Sequence, residues 1–391
     1  MIVTIIVFLL ILSVLVIVHE AGHFFVAKKF GIKVEEFGFG FPPRMFSFKS
    51  GETVYSLNWL PIGGFVKLYG EDDAGGGKID LTKKKALSKD LDRAFFAKTA
   101  WQRAAVIVAG VVMNALLAII IFYTFLGISG FKDSIPLISD FKFIGVNQTN
   151  IQEVVLSEIA PGSPAEKQGL RASTEVISVN GVAVKTAEQF VGIVNANKGH
   201  PIEIAWTNLD SSVIHKTAVT PRLKPPKNQG ALGVGLYAVS TAQLNYKTPV
   251  ERIFSGITHP INLMAYNLSV VGQLIKLSFE KHTTAPLSAG VSGPVGIASV
   301  TGSILEIKDL KEKILGLLNL AGILSISLAF FNILPVPALD GGRLFFILIE
   351  AVTGKKVNQR FESVVHTIGM IVLLALMALI TFKDVGKLFV K

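Results

Sequence analysis

The sequence predicts a polytopic α-helical membrane protein of about four transmembrane helices. A membrane-associated β-hairpin region and one inserted extracytoplasmic α+β domain complete the fold class. Composition, four long apolar runs and a long connection of mixed polarity lead to this reading. Half of the 391 residues are hydrophobic, only 17% are charged, and the mean hydropathy is +0.54. Soluble domains carry about 25% charged residues, and disordered chains are far less apolar. There is no cysteine, which excludes disulfides, thiolate metal sites and cysteine nucleophiles. The net charge of +10 suits cytoplasmic loops beside anionic lipid headgroups, so the lipid bilayer and not nucleic acid is the expected partner.

The first apolar run, from Met1 to Val18, contains no charge. It meets His19 and Glu20 and continues apolar through Phe24, Phe25 and Val26. It lacks a basic start and a small-residue cleavage site, so it reads as a retained first span and not a signal peptide. Ala104–Ile128, Ile314–Leu334 and Val364–Phe382 are each long enough to cross a hydrocarbon core of about 30 Å. Lys28, Lys29, Lys33, Lys98, Arg103 and the Lys83–Lys85 cluster flank spans one and two, which places residues 31–103 in the cytoplasm and the N-terminus outside. The loop with Arg343, Lys355, Lys356 and Arg360 agrees, whereas the terminal Lys383, Lys387 and Lys391 do not. Four regions follow: an N-terminal membrane core over 1–128, an extracytoplasmic domain over 129–245, a membrane-surface helical linker over 246–313 and a C-terminal membrane core over 314–391.

Within the extracytoplasmic domain, Val154–Leu156, Glu175–Val179 and Ile202–Trp206 read as strands. Pro164–Gly169 and Ala187–Asn195 read as helices, and Leu232–Leu236 as a last short strand. Val250–Phe279 is mostly apolar with polar breaks, which suggests surface helices kinked at Pro260. Tyr55–Leu60 and Phe65–Leu68 alternate around Pro61-Ile62-Gly63-Gly64 like a short hairpin. Glu71–Lys85, with Gly75–Gly77, reads as a mobile cytoplasmic loop.

His19-Glu20-Ala21-Gly22-His23 carries the chemistry. Helical positions four apart share a face, so both imidazoles can bind one metal ion with Glu20 beside it. Zinc suits two imidazoles and a carboxylate with a fourth position open for water. Glu20 is then placed to take a proton from that water and pass it to a leaving amine. An acidic residue between two histidines in an apolar run is costly unless it is paired or used. Glu35 and Glu36 fall in the basic flank and read as solvated. The candidate third ligand lies far downstream, in Asn332-Ile333-Leu334-Pro335-Val336-Pro337-Ala338-Leu339-Asp340-Gly341-Gly342. There two prolines break the helix, two glycines allow a tight turn, and Asp340 follows on the cytoplasmic side.

These motifs, HExxH in the first span and NxxPxPxxDG in the third, resemble the site-2 protease family of intramembrane zinc metalloproteases, most closely its bacterial group of sigma-E regulators. Phe37–Pro42, Tyr55–Tyr69, Trp101–Asn114 and Ser292-Gly293-Pro294 are similar to segments of that group in the same order. The resemblance implies His19, His23 and Asp340 as zinc ligands and Glu20 as general base. It implies that Asn332 holds the substrate backbone or the reacting carbonyl, and that Gly63 and Gly64 belong to a membrane-dipping β-loop that binds substrate. Asn114 matches a polar family position without an assigned role. Arg343 stands where a histidine often follows the glycine pair.

Ala160–Glu166, Gly169-Leu170 and Val179-Asn180-Gly181 resemble a PDZ domain, one where many Gram-negative members carry two. Such a groove binds an extended peptide or a free C-terminus by strand addition. Ile144–Val146 or Leu232–Leu236 would supply its carboxylate-binding loop; the domain would equally serve as a size filter. The remaining histidines, among them His259 and His366, lack ligand spacing and read as surface or interfacial. The implied function is cleavage of transmembrane segments in single-pass proteins, of the anti-sigma-factor or remnant-signal-peptide type, at the bacterial inner membrane. A membrane-anchored peptidase for soluble peptides and a non-catalytic PDZ scaffold are the rival classes.

Overall fold

The computed structural model describes residues 2–71, 91–208, 214–355 and 357–389. Helix α1 (Ile2–Lys29) precedes two long strands, β1 (Val34–Ser50) and β2 (Thr53–Leu68), and helix α2 (Ala100–Ile128). Then come β3 (Lys132–Leu137), β4 (Asn147–Ile159), α3 (Pro164–Lys167), β5 (Thr174–Val179), β6 (Val182–Ala183) and α4 (Ala187–Ala196). Strands β7 (Ile202–Asn208), β8 (His215–Val219) and β9 (Val234–Asn245) follow. The chain closes with helices α5 (Pro249–Glu280), α6 (Ala285–Gly290), α7 (Pro294–Glu306), α8 (Leu310–Ile333), α9 (Asp340–Thr353) and α10 (Gln359–Phe389). Two compact units result, Met1–Ser129 with Ile253–Lys391, and Gly130–Arg252.

In the first unit, four helices are long and apolar enough to cross a membrane: Ile2–Lys29, Ala100–Ile128, Leu310–Ile333 and Arg360–Gly386. Local chemistry sets their ends. Thr99 Oγ1 accepts from the Gln102 amide while Gln102 Oε1 accepts from the Thr99 amide, a capping box that starts α2 before its apolar run. Asp309 Oδ1 caps α8 by accepting from the Glu312 amide at 2.8 Å. Pro335 and Pro337 lack the donors that would continue α8 beyond Ile333. Gly354, at φ 67°, ends α9 in the left-handed conformation.

Helix α2 is the central pillar and packs against α1, α8 and α9. A Cβ on Gly22 of α1 would run into the Ala109 carbonyl, so this glycine sets how closely α1 and α2 approach. Ser325 Oγ of α8 donates to the Asn114 carbonyl at 2.8 Å, and Gly322 admits the Phe122 ring.

Strands β1 and β2 are both bent. Glu36–Phe39 therefore faces Gly64–Lys67 on one side and Val54–Leu57 on the other. The tip exposes Met45, Phe46, Phe48, Trp59 and Leu60, an apolar surface that suits lipid better than water. Behind Gly51, Glu52 accepts from Arg93 at 2.7 Å and from Lys28 at 3.1 Å, tying the strand turn to the end of α1. Burial opposes ionisation of Glu52, but those two cations outweigh it and hold the carboxyl below its usual range. Glu35 and Glu36 pair with Lys67 and Arg44 respectively.

The segment 250–279 forms one continuous helix, α5, with Pro260 inside it. Among the histidines expected at the surface or an interface, His259 and His366 are buried. His259 packs against Phe122 and Phe125, and burial pushes its pKa down to about 4, which keeps it neutral. On α10, Asp384 accepts from the Gly293 and Gly296 amides at 2.7 and 3.1 Å, and Lys383 donates to the Ser288 and Val291 carbonyls. The 292–296 turn is thereby fixed to α10. Of the expected loop 71–85, only Glu71 is described; Gly75–Gly77 and Lys83–Lys85 lie outside the described residues.

The second unit holds one sheet, ordered β3-β9-β4-β5-β7-β8 with β6 on β5. Val154, Leu156, Val176, Phe190, Ile202, Ile204 and Leu232 form its core. Strand β9 pairs with β4 from Val234 to Asn245, but β3 reaches only Ser240 on the other side. Among the described residues, Val234–Val239 therefore has a free edge, and Leu232-Gly233 leads directly into it.

Gly22→Val should cost about 1–3 kcal/mol by overpacking the α1–α2 contact, read as a lower thermal midpoint in detergent. An unchanged midpoint would mean that the two helices do not meet this closely.

Candidate metal centre

One helical turn separates His19 from His23 on α1, and both rings turn toward α2 and the start of α9. Their Nε2 atoms lie 3.2 Å apart. Asp340 Oδ2, from the first turn of α9, lies 3.0 Å from His19 Nε2 and 3.3 Å from His23 Nε2. These three residues form the group among the described residues able to hold a metal ion. Four-coordinate zinc with bonds of about 2.0–2.2 Å places neighbouring donors roughly 3.3 Å apart, so the triangle fits that ion. Asp340 Oδ2 is buried and makes no well-aligned hydrogen bond. It points between two ring nitrogens as a ligand oxygen would. His23 Nδ1 lies 2.8 Å from the Val106 carbonyl. A carbonyl only accepts, so Nδ1 carries the proton and Nε2 presents its lone pair.

The close approach needs Gly110. A Cβ there would strike His23 Nε2 and come within 2.8 Å of His19 Cε1. Asp340 is delivered by the broken helix. After Ile333 the backbone turns through Ala338, held at φ 73°, whose amide donates to His366 Nδ1 at 2.9 Å. Gly341 follows with its α-carbon against the Ile333 and Leu334 carbonyls, where a side chain has no room. Helix α9 is moored by two ion pairs: Arg103 to Glu350 at 2.7 Å and Arg343 to Glu71 at 2.8 Å.

A cavity of about 230 Å³ opens beside this group, lined by Glu20, His23 and Asp340 and by Gly64, Phe65 and Val66 of β2. Gly64 lets the strand close on α1, since a Cβ would sit 3.3 Å from Glu20 Cγ. Glu71 and Arg343 also line the cavity. The Glu71 side chain is only 10% exposed, and burial pushes its pKa up although Arg343 beside it acts in the opposite sense. Asn332 is half-buried in the last turn of α8, and it is not among the described residues that line the cavity. Gly63, at φ 88°, precedes Gly64 at the bend of β2. The sequence singled out neither Gly110 nor Glu71 for this site. The four-residue step from Gly110 to Asn114, which puts both on one face of α2, was the available signal.

A convergent imidazole pair and carboxylate, with a second carboxylate at hand inside a bundle of apolar helices, define a membrane-embedded metallohydrolase. The sequence matches the profile of Peptidase family M50 over residues 7–376. It is also 31% identical to the zinc metalloprotease RasP of Geobacillus kaustophilus, across 99% of this chain and 98% of that protein. The regulator of sigma-W protease RasP of Bacillus subtilis is 29% identical across 99% of each. The chain belongs to peptidase family M50 and is an intramembrane zinc metalloprotease.

Removing either partner of the Arg343–Glu71 pair should destabilise the mooring of α9. A double-mutant cycle with Arg343→Met and Glu71→Gln should show coupling of about 0.5–3 kcal/mol in unfolding free energy. Additive effects would mean that the pair does not hold the helix.

Proposed function

We propose that this protein is an endopeptidase that cleaves transmembrane segments of single-pass membrane proteins, with His19, His23 and Asp340 holding zinc and Glu20 as general base. The observation that carries the reading is that Glu20, two members of the His19–His23–Asp340 triangle and the edge of β2 line one cavity. Bound there, zinc supplies Lewis acidity toward water and the scissile carbonyl. Glu20 takes the proton of the attacking water and passes it to the departing amine.

A helical substrate has its carbonyls hydrogen-bonded and its carbonyl carbons shielded, so it must be unwound before attack. Residues 64–68 of β2 pair with β1 on one side and border the cavity on the other. An extended substrate added to that edge would present its backbone beside Glu20. Gly63 permits the bend and Gly64 the close approach that this needs. Asn332, just before the broken turn, would hold the substrate backbone farther along.

The basic residues around spans one and two favour a cytoplasmic location for the β1–β2 region and the catalytic cavity, at a bacterial inner membrane. The second unit would then lie outside as a PDZ-like domain. Its open β9 edge, entered from Leu232-Gly233, supports capture of an extended peptide or C-terminus there. The substrates would be single-pass proteins of the anti-sigma-factor or remnant-signal-peptide type. The relative in Bacillus subtilis is named as a regulator of sigma-W.

The test is purification of the protein and two variants, followed by zinc analysis and incubation with a single-span substrate. Glu20→Gln should keep its zinc and lose about 10²–10⁴-fold in rate, while Asp340→Ala should lose or weaken metal binding. Undiminished cleavage by Glu20→Gln would overturn the assignment.

A further inference from the structure

Asn114 is fully buried in α2, and its amide Nδ2 faces His19 Nδ1 at 3.3 Å. Its Oδ1 is buried with no hydrogen-bond partner. Its backbone carbonyl accepts from Ser325 Oγ, which fixes this turn of α2 against α8. The backbone of the residue is thus fixed beside the His19 imidazole.

The two histidines are held differently. His23 gives its Nδ1 proton to a backbone carbonyl, that of Val106, which no substitution at that position removes. His19 instead has its Nδ1 facing a side chain, that of Asn114. Its Nε2 points at Asp340 Oδ2 and His23 Nε2. For that nitrogen to offer a lone pair to a metal, the ring proton must reside on Nδ1. An amide nitrogen cannot accept that proton. An amide oxygen can.

Resting on the metal reading above, we propose that Asn114 is a positioning residue that sets the His19 tautomer, its amide oxygen accepting from Nδ1–H when metal is bound. Turning the amide by 180° brings Oδ1 to the place where Nδ2 now faces the ring. The exchange leaves one amide atom without a partner in either orientation, so the imidazole and not the amide decides which is adopted. With Nδ2 facing the ring, the proton sits on Nε2, the nitrogen 3.0 Å from Asp340 Oδ2 that a metal ion would need free. The amide is therefore a rotor whose two settings correspond to two tautomers of one ligand. Partners of this kind contribute about 10–100-fold to metal affinity.

The experiment compares zinc affinity, by competition with a chromophoric chelator, in the full-length detergent-solubilised protein and its Asn114→Leu and Asn114→Asp variants. Asn114→Leu keeps the volume and removes the acceptor; Asn114→Asp keeps an acceptor and cannot donate. We expect Asn114→Leu to bind zinc about 10–100-fold more weakly and Asn114→Asp to bind within a few-fold of the wild type. Thermal midpoints of the metal-free proteins separate this from loss of fold. Equal affinity in Asn114→Leu, or equal weakening in Asn114→Leu and Asn114→Asp with midpoints unchanged, would overturn the proposal. A wild-type protein that takes up no zinc would instead overturn the metal reading itself.

Discussion

Two imidazoles and a carboxylate, brought to within 3.0–3.3 Å of one another, are the constraint on which the rest of the molecule depends. Three lone-pair donors at that spacing repel unless a cation or protons lie among them, and the surrounding helices offer little water to screen them. The fold meets that cost with rigid placement. Two donors come from one face of α1, and the third comes from the first turn of a helix more than three hundred residues later. The pillar α2 joins them, with glycines at 22 and 110 at the points where a side chain would push the groups apart.

The broken turn after α8 follows from the same demand. A continuous helix through residues 333–340 would satisfy its own backbone and carry Asp340 away from α1. Pro335 and Pro337 stop it, and Ala338 adopts a left-handed conformation that few non-glycine residues take up. His366 from α10 receives the Ala338 amide, while Gly341 packs against the preceding carbonyls. Ion pairs from α2 and from the end of the strand region hold α9 at both ends. Each pair sets one little-exposed charge against another, which keeps such charges tolerable beside apolar helices.

Much of the site was legible in the sequence because its strongest signals are local. The spacing of His19 and His23 is a property of any helix, and an aspartate after a proline-broken span is conspicuous in an apolar chain. The four spanning helices follow from length and hydropathy alone. Contacts that join distant segments were not legible in this way. Arg343 and Glu71 are 272 positions apart, and nothing in either neighbourhood marks the other as its partner. His259 and His366 lack ligand spacing, and spacing says nothing about their burial. That depends on aromatic rings of other helices and on a backbone amide from the broken turn. The two-sided pairing of Glu36–Phe39 was equally hidden, because alternation shows which side chains share a face and not which strands are neighbours.

Anomalous scattering at the zinc edge from crystals of the purified protein tests the central claim most directly. One strong peak should lie about 2.0–2.2 Å from His19 Nε2, His23 Nε2 and an Asp340 oxygen together. A zinc peak bound elsewhere, with Asp340 turned away from both imidazoles, would contradict it.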